Sequence, residues 1–210
     1  MSSFPLLPVP SFIWLASQSP RRQELLRQIG VSFRLLTPQD PVAAEALERT
    51  RPGEDPAHYA LRVATAKAEA ARAQLVALAL EPAPILSADT TVALGGTLLG
   101  KPANADDAVR MLTLLSGRTH RVLTAVALAR GTQRLDTAIS VSRVSFARMS
   151  RAEIERYVAG GEPMDKAGAY GIQGSIARFV KRIQGSYTGI MGLPLYETSR
   201  LLGQAGRDLR

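Results

Sequence analysis

The spacing of apolar and polar positions changes several times along the 210-residue chain, and each change marks a predicted element. Residues 12–16 (FIWLA) form a short apolar run with aromatic and β-preferring side chains, which predicts a buried strand. Ser19 and Pro20 then predict a helix start, with Ser19 as N-cap and Pro20 at the first helical position. Leu25, Leu26 and Ile29 give that helix its buried face, and Gly30 its C-terminal stop. Residues 31–36 read as a second strand. Residues 37–54 are rich in Pro, Asp, Glu and Arg, show no periodicity and read as a loop. Asp55 and Pro56 open a long helix to about Ala79, in which Leu61, Ala64, Ala68, Ala71, Leu75 and Leu78 recur at helical spacing as one packed stripe.

Residues 85–88 predict a buried strand, and 92–94 with 98–99 flank Gly95-Gly96 as a hairpin. Asn104 caps a helix through Leu115, with Asp106 and Asp107 in the first turn, where the helix dipole favours them, and Gly117 after it. Two long strands, 121–130 and 135–146, turn at Gly131-Thr132. Ser150 with Glu153 forms a capping box for a helix that stops at Gly160-Gly161. A glycine-rich loop leads to a strand at 176–183, and Pro194 opens the last helix. Strands alternate with helices and long antiparallel pairs occupy the middle, so the predicted class is α/β with a mixed sheet. No repeat, low-complexity tract or linker divides the chain. Residues 1–210 are expected to form one domain, with 1–10 as a loose N-terminal extension.

Composition narrows the chemistry. The absence of cysteine excludes disulfides, thiolate zinc sites and a cysteine nucleophile. With only His58 and His120, a histidine-rich metal site is excluded as well. What stays open is an oxygen-ligand site of the kind that suits magnesium or manganese. A net charge of +8 fits a polyanionic partner, either nucleic acid or a small phosphorylated substrate, and equally a solvated basic surface. The arginines are scattered rather than run together, which argues against nucleic acid. The N-terminus lacks a basic n-region, and Pro5, Pro8 and Pro10 interrupt it, so it does not read as a signal peptide. No stretch is long and apolar enough to span a membrane, and a cytoplasmic protein is expected.

Four segments carry candidate chemistry. Ser17, Ser19, Arg21 and Arg22 surround the start of the first helix, where free backbone N–H groups and guanidinium forks can hold phosphate. The plainer alternative is a solvated helix start. Asp89 follows the apolar strand at 85–88 and precedes Thr90 and Thr91; there it can ligate a metal, accept a proton from water, or simply turn the chain. Lys101 lies in Gly100-Lys101-Pro102, and Lys67 is embedded in the alanine-rich stripe region of the long helix, where a cation either has work or snorkels. GTLLGKP is not a P-loop, since its spacing is wrong and no Ser or Thr follows the lysine. Residues 161–174, GEPMDKAGAYGIQG, combine small residues that permit close backbone approach with Asp165, Lys166 and Gln173 as polar edges. Met164, Tyr170 and Ile172 in this stretch predict an ordered, partly buried loop rather than a solvated one.

Together, LASQSPRRQELL, RVATAKA, SADTTVAL, GKP, EPMDKAGAYGIQG and GSYTGIMGLPLYET, in this order from about Leu15 to Thr198, closely resemble the Maf family. The resemblance implies an elongated, twisted mixed sheet flanked by helices, with a cleft between two lobes, related to the inosine triphosphate pyrophosphatases. It implies hydrolysis of a nucleoside triphosphate to the monophosphate and pyrophosphate, with a divalent cation. Asp89 matches the family's catalytic aspartate, and Arg21, Lys67 and Lys101 match its phosphate-holding cations, with Ser17 beside them. Glu48, six residues before Glu54, best matches a carboxylate that shares the metal with Asp89; the loop ahead of it is a few residues longer than the family pattern. Arg22, Thr90 and Gln173 match the branch that prefers dTTP and UTP, and a glutamine amide can offer both donor and acceptor to a pyrimidine edge. Modified pyrimidine nucleotides, removed as housecleaning, are a further substrate class. The 7-methyl-GTP branch carries a different loop in place of AGAYGIQG. The resemblance also suggests a homodimer. A rival of another class is a regulator that binds nucleic acid or a division protein.

Overall fold

A computed structural model describes residues 12–204, so the expected N-terminal extension at 1–10 lies outside the described residues. Its elements in chain order are β1 (Ile13–Leu15), α1 (Pro20–Gln28), β2 (Phe33–Leu35), α2 (Pro41–Ala46), α3 (Pro56–Ala77), β3 (Ile85–Leu94), β4 (Thr97–Leu99), α4 (Ala105–Leu115), β5 (Thr119–Arg130), β6 (Arg134–Phe146), α5 (Arg151–Ala159), β7 (Val180–Gln184), α6 (Tyr187–Met191) and α7 (Leu195–Gln204). Short 3-10 turns occupy Ala167–Ala169 and Ser175–Phe179.

The seven strands form one mixed sheet in the order β2-β1-β3-β5-β6-β7, with β4 paired to β3. β1 is parallel to β2 and β3, whereas β3, β5, β6 and β7 run antiparallel in succession. Side chains on β3 and β5 alternate between two cores. Ile85, Ala93, Leu123, Ala125, Ala127 and Ala129 face α3, which answers with Ala60, Ala64, Ala68, Ala71 and Leu75. Alanine against alanine lets the helix axis come close to the sheet, and the Ser87 hydroxyl donates to the Ala64 carbonyl across that contact at 2.6 Å. The opposite face holds the larger core, in which Leu86, Val92, Val126 and Leu128 meet residues of α1, α4, α5 and α7.

Four details depart from the sequence-based expectation. The first is α2, which lies inside the segment read as a loop. Asp40 caps it by accepting from Val42 N and Ala43 N, with Pro41 at its start, the same Asp-Pro signal that opens α3. Its six residues bury no side chain, which is why no periodicity announced it. Second, β3 is one ten-residue strand rather than a strand ending at Ala88 followed by a hairpin arm. Asp89 therefore lies in mid-strand, opposite Ala125. Third, residues 175–179 form a 3-10 turn, so β7 begins only at Val180. Fourth, α6, capped by Ser186, precedes the helix expected after Pro194. In the α3 stripe, Leu78 is exposed because the helix ends at Ala77. No helix among the described residues is long and apolar enough to cross a membrane.

Candidate active site

The site follows from an interruption along one side of β3. β1 pairs with β3 only at Ile85 and Leu86, and β4 pairs with it only from Val92 onward. On the other side β5 pairs with β3 continuously from Ile85 to Ala93. The stretch 87–91 is thus held by β5 while its second edge pairs with no strand. Asp89, a buried carboxylate in mid-strand, lies within this gap.

Strand alternation sends Asp89 and Thr90 to opposite faces. Asp89 points with Ile85, Ser87 and Ala93 toward α3, where its Oδ1 accepts from Lys67 Nζ at 2.7 Å. The same ammonium donates to Glu48 Oε1 at 2.7 Å, and Lys101 Nζ donates to Glu48 Oε2 at 3.0 Å. Two carboxylates and two lysines from four separate segments thus form one chain of ion pairs. Asp89 is 6% exposed, and burial pushes its carboxyl above the ordinary aspartate value despite the pull of Lys67 and Arg22. Burial also pushes Glu48 upward, but Lys67 and Lys101 outweigh it and hold Glu48 below its usual value. The two acids, each paired with a lysine, are therefore driven in opposite directions.

On the other face, Thr90 Oγ1 shares a hydrogen bond of 2.9 Å with Thr124 Oγ1, whose hydroxyl also reaches the Gly189 carbonyl at 2.7 Å. Arg22 is fixed on three sides: Nε donates to the Gly192 carbonyl at 2.8 Å, and the two terminal nitrogens reach Ser17 Oγ at 3.0 Å and Thr90 Oγ1 at 3.4 Å. Burial pulls this guanidinium below its ordinary value, while the charges of Asp89 and Glu48 pull it up. Arg21, half-buried, makes no hydrogen bond or ion pair among the described residues. Ser19 occupies the N-cap position of α1, yet its side chain makes no capping bond.

The glycine-rich loop is ordered around Glu162, whose carboxylate accepts from Tyr157 OH at 2.9 Å and whose carbonyl accepts from Lys166 Nζ at 2.6 Å. Gly168, at φ 69°, lies so close to Val92 that an added Cβ would stand 2.9 Å from its methyl carbon, and its N–H donates to the Gly100 carbonyl at 3.0 Å. This docks the loop beside Lys101. Tyr170 seats the next residues by meeting His120 Nε2 at 2.7 Å. As expected, Tyr170 and Ile172 are buried; Met164 is exposed.

The structure thus gathers Glu48, Lys67, Asp89 and Lys101 in one network, and Ser17, Arg22 and Thr90 in a second across the strand. Gln173 joins neither: it is exposed and makes no hydrogen bond to a described residue. Sequence reasoning missed the Gly192 carbonyl and Thr124. Gly192 has φ 115°, a conformation natural to glycine, and its place before Leu193-Pro194 was the available signal. Thr124 could be found only through the β3–β5 register. A cleft of about 480 Å³ between residues 50–56 and the β3–β4 turn lies beside the network and includes none of its four side chains.

A family model described as "Maf-like protein" matches residues 12–205. A dTTP/UTP pyrophosphatase of Cupriavidus pinatubonensis is 59% identical over 194 residues, covering 92% of this chain and 96% of that protein. A dTTP/UTP pyrophosphatase of Polaromonas sp. is 54% identical over 200 residues, covering 95% and 98%. Among solved structures, a HAM1 protein from Coxiella burnetii shares the fold at TM-score 0.50 and 17% identity, over 91% of this chain and 98% of that one.

Proposed function

The chain belongs to the Maf family, and from that premise we propose that it hydrolyses dTTP and UTP to the monophosphate and pyrophosphate. The observation that carries the reading is the meeting of Asp89 and Glu48 at a single lysine nitrogen, 2.7 Å from each, across the strand from a braced arginine. Relatives sharing more than half of their residues with this chain bear the name dTTP/UTP pyrophosphatase. Modified pyrimidine nucleotides belong to the same proposed substrate class.

A magnesium or manganese ion would be held by Glu48 and Asp89. The donor set suits it: both carboxylates already converge on one positive centre, and both offer hard oxygen ligands. Two carboxylates leave the rest of an oxygen shell to phosphate and water, the usual way magnesium is held beside a nucleotide. When bound, the ion supplies positive charge at the phosphate oxygens and lowers the pKa of water.

The protein's own groups do the rest. Lys67, released from the carboxylates, turns its charge to the phosphate chain together with Lys101 and Arg21, which pairs with no described residue. Ser17 and Arg22 hold the start of α1 against Thr90, fixing the wall on which the nucleotide lies. Asp89 accepts the proton of the attacking water, a task its burial-raised carboxyl performs better than an ordinary aspartate. The water oxygen bonds to phosphorus, the bond to the bridging oxygen between the α- and β-phosphates breaks, and pyrophosphate departs. Gln173 reads the base once the nucleotide reaches the glycine-rich loop.

The test is pyrophosphate release from dTTP, UTP, CTP, GTP and 7-methyl-GTP, with magnesium or manganese and with chelator. Metal-dependent cleavage of dTTP and UTP supports the reading. Cleavage confined to 7-methyl-GTP replaces the branch, and no release from any nucleotide overturns the enzymatic reading in favour of a binding role.

A further inference from the structure

Three consecutive backbone carbonyls around Glu48 are gripped by α3. Tyr59 OH donates to the Glu48 carbonyl at 2.8 Å. Arg62, one turn on, donates to the Leu47 carbonyl at 3.2 Å through one terminal nitrogen and to the Arg49 carbonyl at 2.9 Å through the other. Arg62 is itself locked by a bidentate pair with Glu54, Nε to Oε1 at 2.6 Å and a terminal nitrogen to Oε2 at 2.9 Å. Glu54 closes the ring by accepting from Arg51 N at 3.2 Å. The side chains are only 23% and 9% exposed, well below the 58% and 61% of the surface pair Arg27–Glu24.

The location gives this ring a purpose. Residues 47–55 connect α2 to α3 without regular structure, and α2 buries no side chain, so neither packing nor a ladder of strand bonds fixes Glu48. The helix that supplies Tyr59 and Arg62 is the helix that supplies Lys67, the partner of the Glu48 side chain. Backbone and side chain of Glu48 are thus referenced to one rigid element. A guanidinium suits the task because its planar fork meets a carboxylate and two carbonyls at once, which an ammonium cannot do.

We propose that the Arg62–Glu54 pair, with Tyr59, is a positioning device that holds Glu48 in register with Asp89 for divalent-metal binding, acting through Glu48 without touching the substrate. The assignment rests on the proposed function above. Partners of this kind that orient a metal-holding group are worth roughly ten- to a hundred-fold in metal affinity or activity.

The experiment measures Arg62→Lys, Glu54→Gln, Tyr59→Phe, Glu48→Gln and the double variant Arg62→Lys/Glu48→Gln in full-length protein. Three quantities are read for each: Mn²⁺ binding in the presence of dTMP by electron paramagnetic resonance, metal-dependent dTTP turnover, and melting temperature. Arg62→Lys is expected to weaken Mn²⁺ binding and turnover by about ten-fold or more, with little change in nucleotide KM at saturating metal. In the double variant the loss should equal that of Glu48→Gln alone, because Arg62→Lys keeps the positive charge that acts on Asp89 and alters only the grip on the carbonyls around Glu48. Losses that multiply, or Mn²⁺ binding that stays at the wild-type level in Arg62→Lys, overturn the assignment. Should Arg62→Lys melt early, Tyr59→Phe, which deletes one hydroxyl, carries the same expectation of weakened Mn²⁺ binding, and wild-type binding there is equally fatal. Wild-type protein that cleaves no nucleotide defeats the functional reading itself, a result distinct from normal turnover with multiplicative losses.

Discussion

Asp89 Oδ1 lies 2.7 Å from Lys67 Nζ with the carboxylate 8% and the lysine 19% exposed, so the nearest cation to a nearly sealed carboxylate is a side chain that also serves Glu48. The lysine needed at this spot explains why a cation flanks an alanine stripe. Lys67 lies between Ala64 and Ala68 on α3, and its ammonium meets the buried Asp89 carboxylate beside the gap in sheet pairing.

Lys67→Met leaves the Asp89 charge without its partner. Breaking such a pair costs about 3 kcal/mol at neutral pH, and proton uptake by Asp89 sets an upper limit on that cost. Lys67→Met/Asp89→Asn should recover most of the loss, because no buried charge then remains at residue 89. Urea unfolding of the wild type, both single variants and the double variant measures the coupling. Equal costs of Lys67→Met with Asp89 and with Asn at that position would mean that the pair adds nothing to stability.

Asp89→Asn separates fold from chemistry. Burial raises the Asp89 pKa, so its ionised form is less favourable in the folded protein than in the unfolded chain, and removing the charge should leave the melting temperature unchanged or higher. Turnover of dTTP should fall roughly 10²- to 10⁴-fold. Near-normal turnover by this variant would remove Asp89 from the mechanism.

Periodicity revealed the elements with strong alternation or strong caps. The α3 stripe from Leu61 to Leu75, the Ser150–Glu153 box and the β5–β6 pair stand where the sequence places them, because each carries its own local signal. It failed at β3, where Asp89, Thr90 and Thr91 look like a turn but continue a strand buried on both faces. Tertiary pairing with β5 overrode the local polarity there. The site was legible as residue types and not as geometry: nothing local says that Glu48 and Lys101, 53 positions apart, share an ion pair. The braces were illegible for the same reason, since Arg22 reaches Gly192 across 170 positions.

Gly168 tests how firmly the glycine-rich loop must sit against the strand that carries Asp89. At φ 69° any side chain is strained, and a Cβ would press on Val92 Cγ2 at 2.9 Å, in mid-core. Gly168→Ala should therefore destabilise the protein by roughly 1–3 kcal/mol. It should also raise the KM for dTTP more than it lowers kcat, since the loop is proposed to hold the nucleotide rather than the reacting atoms. A fall in kcat alone would place the loop among the reacting groups instead.

His120 makes its own contribution to the pH dependence of stability. It is 2% exposed, faces Phe146 and Tyr170, and burial pulls its pKa from 6.5 down to about 4. Between those values the unfolded chain binds a proton that the folded protein refuses, so stability rises with pH across this window and is fully present above it. Lowering the pH from 7 to 5 should thus cost about 2 kcal/mol through this residue alone. In His120→Gln that slope should vanish between pH 5 and 7, even though the variant is less stable overall after losing its contact with Tyr170. Urea midpoints of both proteins measured at half-unit steps decide the matter. Parallel pH profiles would show that another group carries the dependence and that His120 binds its proton as readily in the folded protein as in the unfolded chain. The expected difference would also tie acid sensitivity to the loop, because Tyr170 is the residue that seats the glycine-rich segment on β5.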